Sequence, residues 1–421
     1  MMYFSHSPNF RNDTILLIYD ECEITITITI YFNDCNSDIK IIYLNNEKSN
    51  KKIKKKKMAN NQMDFTSLPI LDYSLVQNFK VDEFLSQLRN ALFRIGFLYV
   101  KNHPIPEELI TKIKSYSDEL FNLPTFEKLR IEMCNSPQFV GYNKLAAEKT
   151  KDIDDQREQF DFSTELPYTW KEGDPIYRRL RGPNQWPDEK YVPGFKETLL
   201  EYIKRMSNFS LEFMQLIALS LGLPSDSFDK FLDPPDKQMN RLKIVKYPPL
   251  NALALGPYDS AQGVGPHKDP WLTFLLQCNN VMGLQVQNHK GDWINVPPIE
   301  GTFVVNIGVG IEAVTKGVAV ATTHRVLTPP TGSIPRISIP FFQMLSYDVM
   351  LEPLDVPEDI MRQAPRSIVS DADKIYEERF YKNIGTAQIL NRVSSHPDVA
   401  KRHYPELFAE LEKQQQKHDK Y

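Results

Sequence analysis

The sequence is short of several things, and each shortage closes off a line of interpretation. No apolar run approaches the roughly 18–20 residues that cross a bilayer, so no helical membrane span is expected. Lysine and arginine number 50 against 54 for aspartate and glutamate, and the net charge of -4 leaves no basic footprint for nucleic acid. Cysteine is scarce: Cys22, Cys35, Cys134 and Cys278 are scattered without metal-ligand spacing, as free thiols of a reducing, cytoplasmic compartment would be. No internal repeat is visible, and nothing marks an obligate protein partner. What is present is ordinary globular composition, 41% hydrophobic and 25% charged over 421 residues, enough for a substantial core.

The opening segment lacks more. Residues 1–57 contain no glycine, alanine or valine, alternate as a strand would in "EITITITIYF", and end in "KKIKKKK". Asp20, Glu21 and Glu23 interrupt what would be the apolar part of a signal peptide. The lysine run is more often a solvated face than an import signal. The bias toward Ile, Asn, Lys and Tyr, the residues of AT-rich codons, leads to the hypothesis that 1–57 is upstream read-through outside the domain, with the native start at Met58. Peptides mapped upstream of Met58 from the source cell would refute it.

From Met58 the chain reads as a folded body. "LPILDYS" is a short strand; "VDEFLSQLRNALFRIG" carries Phe84, Leu85, Leu88 and Leu92 at helical spacing and stops at Gly96. A second amphipathic helix is expected over about 106–132, then loop-rich sequence over 133–192. Apolar residues recur at i, i+3 and i+4 from Phe195 to Leu221, a helix long enough to back a sheet. After about 240, short apolar runs follow at close spacing: "RLKIVKY", "LTFLLQ", "GLQVQ", "WINVP", "TFVVNIG", "VAVATTHRV" and "RISIPFF". Turn chemistry such as "NHKGD" separates them, and this pattern predicts an antiparallel sandwich or barrel. The tail returns to helix. The expected regions are 58–190 (N-terminal, helical), 191–350 (support helix and β domain) and 351–421 (helical tail).

In "GPHKDPWLTFLLQ", His267 and Asp269 stand at i and i+2 of an extended segment, so both side chains face one way. A third ligand could come from His324 on a later strand. Two imidazoles and one carboxylate with open positions suit non-haem Fe(II) oxygenases. H-x-D alone is weak, and a second match occurs at His396–Asp398. That one sits at a helix mouth in a polar tail and is read as a surface helix capped by Ser395. His403, five residues beyond Asp398, is poorly spaced to share its helical face, and His103, His289 and His418 read as structural or solvated. Downstream of His324, Arg336 and Ser338 again share a strand face, and a guanidinium beside a hydroxyl suits a carboxylate. A metal triad beside such a clamp is what a dicarboxylate chelating iron requires.

At these residues the chain resembles the isopenicillin N synthase-like family of Fe(II)/2-oxoglutarate-dependent oxygenases, in its fungal and microbial form. The likeness runs from about 68 to 350, through "ALFRIGFLYVKNHPIP", "KYPPL", "GPHKD", "GDWINVPPIEGTFVVNIG", "ATTHRVL" and "RISIPFF". It implies an α+β, mainly β fold: a double-stranded β-helix (jelly roll) with flanking helices. It implies Fe(II) on His267, Asp269 and His324, and 2-oxoglutarate on Arg336 and Ser338 with help from Tyr247. It implies that 2-oxoglutarate and O2 are consumed, with release of succinate and CO2, while a small organic substrate is hydroxylated or desaturated. Tyr142, Arg157, Phe160, Phe162 and Phe342 fall where the family places substrate contacts, although aromatics at such positions are more often core. Lys268, between the ligands, should point away from the metal.

Two departures carry expectations. Members often have one more residue between the aspartate and the "LT" strand than "DPWLT", which predicts a displaced Asp269 or a loop reshaped around Trp271. Gly308-Val309-Gly310 follows "NI" where members often carry an acidic or bulkier residue, which predicts an altered pocket. Two other readings stay open: an iron oxidase of the same family that needs no 2-oxoglutarate, and a non-catalytic jelly-roll binding protein.

Overall fold

A computed structural model describes residues 64–150, 153–253, 255, 261–365 and 383–418, together with the backbone of four N-terminal strands. Met1–Gln62 and Met63–Tyr421 are separate units. In the first, Met2–Phe4, Asn12–Tyr19, Ile24–Tyr31 and Lys40–Tyr43 pair in that order as an antiparallel sheet, and the alternating "ITITITIY" is its third strand. Met58, Cys22 and Cys35 lie outside the described residues.

The second unit is built on two sheets. We number their strands β1 (Ile70–Asp72), β2 (Phe97–Lys101), β3 (Gly141–Asn143), β4 (Glu158–Ser163), β5 (Arg241–Tyr247), β6 (Gln262–His267), β7 (Leu272–Gln277), β8 (Leu284–Gln287), β9 (Trp293–Asn295), β10 (Thr302–Ile307), β11 (His324–Leu327) and β12 (Arg336–Gln343). The major sheet has eight strands in the order β1-β2-β10-β7-β12-β5-β4-β3, and the minor sheet four in the order β6-β11-β8-β9. All pairs are antiparallel except β1 with β2. This is the jelly-roll type of fold expected. The Gln287↔Trp293 rung closes a hairpin over "NHKGD", with Gly291 in the left-handed region at φ +91.

Strand alternation sorts the core into two layers. Leu242, Ile244, Phe274, Phe303, Val305, Ile339 and Phe341 pack on the helix Phe195–Ser220, where Phe209 and Phe213 meet Phe274 at ring distances of 5.0 and 5.5 Å. Their neighbours in register, among them Val245, Tyr247 and Val304, face Val264, Leu284, Val286 and Val326 of the minor sheet. The site lies on this inner face.

Some expectations about the elements are corrected. The helix expected over 106–132 is two, Glu107–Phe121 and Thr125–Arg130, because Pro124 has no amide hydrogen to continue the first. The division at 190/191 is bridged by the major sheet, since β4 pairs with β5 and β2 with β10. The helix Val81–Arg94 ends as expected, before Gly96 at φ +66. Among the described residues no helix is long and apolar enough to cross a membrane.

Candidate active site

β6 and β11 lie side by side with His267 opposite His324, so one rung of the minor sheet brings the two imidazoles to a ring distance of 4.1 Å. Asp269 follows β6. Its Oδ1 stands 3.7 Å from His267 Nε2 and 3.8 Å from His324 Nε2, and one ligand atom from each residue lies within 4.8 Å of the others. Each Nδ1 faces a backbone carbonyl, His267 that of Gly265 at 2.8 Å and His324 that of Thr322 at 3.4 Å. That arrangement places the proton on Nδ1 and leaves both Nε2 lone pairs for a metal. Burial, reinforced by the neighbouring His267, pushes His324 down to about 4. It is therefore neutral at physiological pH, the form that ligates.

The carboxylate is held from behind. Asp269 Oδ2 accepts from Thr273 Oγ1 at 2.7 Å and Asn306 Nδ2 at 2.9 Å, from adjacent strands β7 and β10. Burial works to raise its pKa, but the imidazoles and these two hydrogen bonds outweigh it and hold it below the usual carboxylate value. Asn306, a lone amide in the apolar run "TFVVNIG", was the available signal for this partner, and sequence reasoning passed over it.

The short "DPWLT" loop does not displace Asp269. Trp271 is 1% exposed, packed edge-on to Phe228 and Phe231. The loop bonds to the turn after β10: Val309 N donates to Asp269 O at 2.8 Å and Gly310 N to Pro270 O at 2.9 Å. A Cβ at Gly308 would stand 2.5 Å from Trp271 N and 2.6 Å from the Pro270 carbonyl carbon, and one at Gly310 2.8 Å from the Trp271 ring. The two departures are thus a matched pair: the glycines admit the shortened loop. Lys268 turns aside and meets Glu312 at 3.3 Å.

Arg336 and Ser338 lie on the inner face of β12. Arg336 is 1% exposed; it donates to Ser338 Oγ at 3.1 Å and to Gln277 Oε1 at 3.3 Å, lies over the Tyr247 ring at 5.2 Å, and leaves Nε without a hydrogen-bond partner among the described residues. None of these partners is charged. Gly283 makes room for the side chain, since a Cβ there would come 2.9 Å from Arg336 Cδ. A guanidinium this buried calls for an anion.

Comparison with known proteins decides the family. Residues 68–189 match the family described as non-haem dioxygenase in morphine synthesis, N-terminal, and residues 238–344 match the 2OG-Fe(II) oxygenase superfamily. The 2-oxoglutarate-dependent dioxygenase frbJ of Dothideomycetidae sp. (strain 11243) is 47% identical over 362 residues, 84% of this chain and 96% of its own. The chain belongs to the 2OG-Fe(II) oxygenase superfamily. A 2-oxoglutarate-dependent dioxygenase of Gibberella zeae is 40% identical over 83% of this chain and 94% of its own. Homoarginine-6-hydroxylase 2-ODD-C23.1 of Arabidopsis thaliana is 34% identical over 70% of this chain and 89% of its own. Among solved structures, a full-length Neurospora crassa protein in complex with alpha-KG superimposes with a TM-score of 0.61 at 26% identity, covering 78% of this chain and 96% of that one. The protein is an oxidoreductase, a dioxygenase whose cofactors are Fe(II) and 2-oxoglutarate.

The residues present fit both groups. The oxygenase offers two bare imidazole nitrogens and one carboxylate oxygen on one side of a point, the donor set for a ferrous ion with open positions. Arg336, buried with an idle Nε, fits the far carboxylate of a dicarboxylate.

The expected substrate residues divide. Tyr142, Phe160 and Phe162 face away from the inner layer: Tyr142 packs on Phe160 at 5.1 Å and bonds Glu158, and Phe162 stacks on Trp186 at 5.3 Å. Their expected place at the pocket is corrected, because on β4 it is the alternate set, Gln159 and Asp161, that turns inward. Phe342 is on the inner face, level with Thr273 and Arg241. Arg157 also turns inward, pairing with Glu148 at 2.8 Å and Asp155 at 3.1 Å. Asp155 Oδ1 in turn accepts from Gly265 N at 3.4 Å, two residues before His267.

His396 is not on a surface helix. It is 0% exposed, and Ser395 does not cap the helix Pro397–His403. The tail packs its "HPD" turn against the sheet, so a polar-looking segment hides its histidine.

Proposed function

We propose that the oxygenase hydroxylates an aliphatic carbon of a small polar molecule, with His267, Asp269 and His324 holding Fe(II) and Arg336, Ser338 and Tyr247 holding the distal carboxylate of 2-oxoglutarate. The observation that carries this is the coexistence, between the two sheets, of the His267/Asp269/His324 set with both Nε2 atoms free to ligate and a buried arginine without a charged partner among the described residues. When bound, iron supplies the redox chemistry: substrate C–H, O2 and 2-oxoglutarate become C–OH, succinate and CO2, one oxygen atom entering each organic product. The chain's own part is positional. Thr273 and Asn306 fix the carboxylate rotamer, the carbonyls of Gly265 and Thr322 fix the imidazole tautomers, and Gln277 and Ser338 aim the guanidinium. Phe97 packs edge-on against His324 at 5.1 Å. Desaturation or ring closure would use the same site. The homoarginine hydroxylase relative supports a small polar substrate.

On this reading the body from residue 58 carries catalysis, with 191–350 supplying the iron and co-substrate residues, and the protein works in the cytoplasm without an obligate partner. Cys134 and Cys278 are free thiols, in keeping with a reducing compartment.

The test is anaerobic addition of Fe(II) to metal-free protein with and without 2-oxoglutarate, watching for the visible charge-transfer band of a 2-oxo acid on ferrous iron. A band that disappears in Arg336→Ala supports the proposal. Iron binding without a band would favour the oxidase that needs no 2-oxoglutarate. Absence of iron binding would favour the binding protein.

A further inference from the structure

The inner face of the major sheet continues past the clamp into a buried cluster of charge. Lys243 of β5 lies opposite Asp161 of β4 and reaches it at 3.5 Å; Glu148 takes Lys243 at 2.9 Å and Arg157 at 2.8 Å. β5 lies two strand spacings from β7, about 10 Å across the sheet, and Lys243 is two residues along from Arg241, which is level with Thr273. The cluster therefore borders the metal residues, and Asp155 links it to β6.

Four buried polar atoms around Glu148 have no partner among the described residues: Asn143 Nδ2, Arg157 Nε, Gln159 Oε1 and His396 Nε2. Asn143 and Gln159 are cross-strand neighbours, and Gln159 Nε2 already serves Glu148 at 2.6 Å. The protonation of His396 follows from its neighbours. Ser395 Oγ has one hydrogen, which goes to Asn391 O at 2.9 Å, so it accepts from His396 Nδ1 at 2.8 Å. His396 Nε2 is then a bare acceptor, 3.9 Å from the carboxylate of Glu148 with no proton to share between them. Arg392, one turn earlier, approaches Asp161 only to 4.0 Å.

Idle acceptors (His396 Nε2, Gln159 Oε1) and idle donors (Asn143 Nδ2, Arg157 Nε, with Arg392 weakly engaged) alternate around Glu148, Gln159 beside Asn143 and Arg392 one turn from His396, and together call for a ligand that both donates and accepts. We propose that this cluster binds the zwitterionic head of a free α-amino acid, ammonium toward His396 and Gln159 and carboxylate toward Asn143, Arg157 and Arg392. The side chain then runs along the inner face toward the metal residues and is oxidised at a carbon remote from the head. This names the substrate class for the oxygenase reading above and rests on it. It also makes the C-terminal segment part of the substrate site, since Arg392 and His396 lie beyond the matched oxygenase region, which ends at 344.

The experiment uses the full chain loaded anaerobically with Fe(II) and 2-oxoglutarate, after its visible band has been recorded. The common L-α-amino acids are titrated by calorimetry, each beside the amine lacking its carboxylate and the acid lacking its amine. Expected is saturable binding of at least one amino acid, roughly tenfold or more tighter than both of its analogues. Arg392→Gln and Asn143→Leu should each weaken it by a similar factor while the band is kept, which shows that the variants are folded. If no amino acid binds to protein that shows the band, or if a one-ended analogue binds as tightly, the inference falls and the oxygenase reading stands. Binding unchanged in both variants overturns the placement. No band with 2-oxoglutarate overturns the oxygenase reading, and this inference with it.

Discussion

Gly308→Ala is the sharpest perturbation of the metal site that touches none of its ligands. Gly308 has φ -107 and ψ 179, extended backbone that alanine adopts freely, so the effect is steric alone. The new methyl would stand 2.5 Å from Trp271 N and 2.6 Å from the Pro270 carbonyl carbon, where ordinary contact begins near 3.4 Å. Backbone faces backbone there, and Trp271 behind it is wedged between Phe228 and Phe231. Loop and turn must therefore part by about 1 Å, a shift that costs on the order of 100-fold where geometry is demanding. Overpacking of this kind also destabilises by about 1–3 kcal/mol. Because Val309 N holds Asp269 O at 2.8 Å, the carboxylate moves with the loop. The assay is Fe(II) affinity by anaerobic chelator competition, alongside thermal melting of the metal-free protein. Expected is a loss of affinity of about 10- to 100-fold together with a lower melting temperature. A variant that melts lower yet binds iron as tightly as the parent would refute the claim that the glycine positions Asp269.

Three further outcomes follow from the same geometry. Asn306→Ala removes one of the two hydrogen bonds on Asp269 Oδ2 and should weaken Fe(II) binding about 10- to 100-fold, read by the same competition; unchanged affinity would mean Thr273 alone suffices. Arg336→Gln deletes a buried charge and should raise the Kd for 2-oxoglutarate about 30-fold or more, with Fe(II) affinity unchanged; a shift below about threefold would place the co-substrate elsewhere. His396 is held neutral by burial, with its pKa lowered to about 3. Below pH about 6.5 the unfolded chain takes up a proton that the folded chain refuses, so this stability is whole above that pH and is lost as pH falls toward about 3. Between pH about 6.5 and about 4.5 urea unfolding should lose about 2–3 kcal/mol from this residue, and His396→Gln should flatten the fall by that amount; an equal slope would refute it.

The candidate metal triad and the Arg336/Ser338 pair could be read along the chain because strand geometry is local. Residues at i and i+2 of an extended segment share a face, so His267 with Asp269 and Arg336 with Ser338 could be paired before any contact was known. The apolar periodicities of Phe195–Ser220 and of the strands after 240 predicted a β core with a backing helix for the same reason. Which face turns inward is not local. On β4 the sequence "EQFDFS" alternates Phe160 and Phe162 with Gln159 and Asp161, and both sets are buried. Only the position of the long helix on one side, and of the minor sheet on the other, decides that the phenylalanines go to the core and the polar pair to the inner face.

The same holds for contacts that close over distance. Thr273 and Asn306 meet Asp269 because β7 and β10 are neighbours, a pairing with no mark in either strand. Gly308 and Gly310 look like a lost side chain until the Trp271 loop is laid against them. His396 read as a surface cap because the chain around it is polar; folding sets that polarity against the charges of Glu148 and Asp161, so the residue is buried without an apolar sequence to announce it. Chemistry carried within one strand was decided by residue order, whereas chemistry shared between strands was decided by which strands the core brought together.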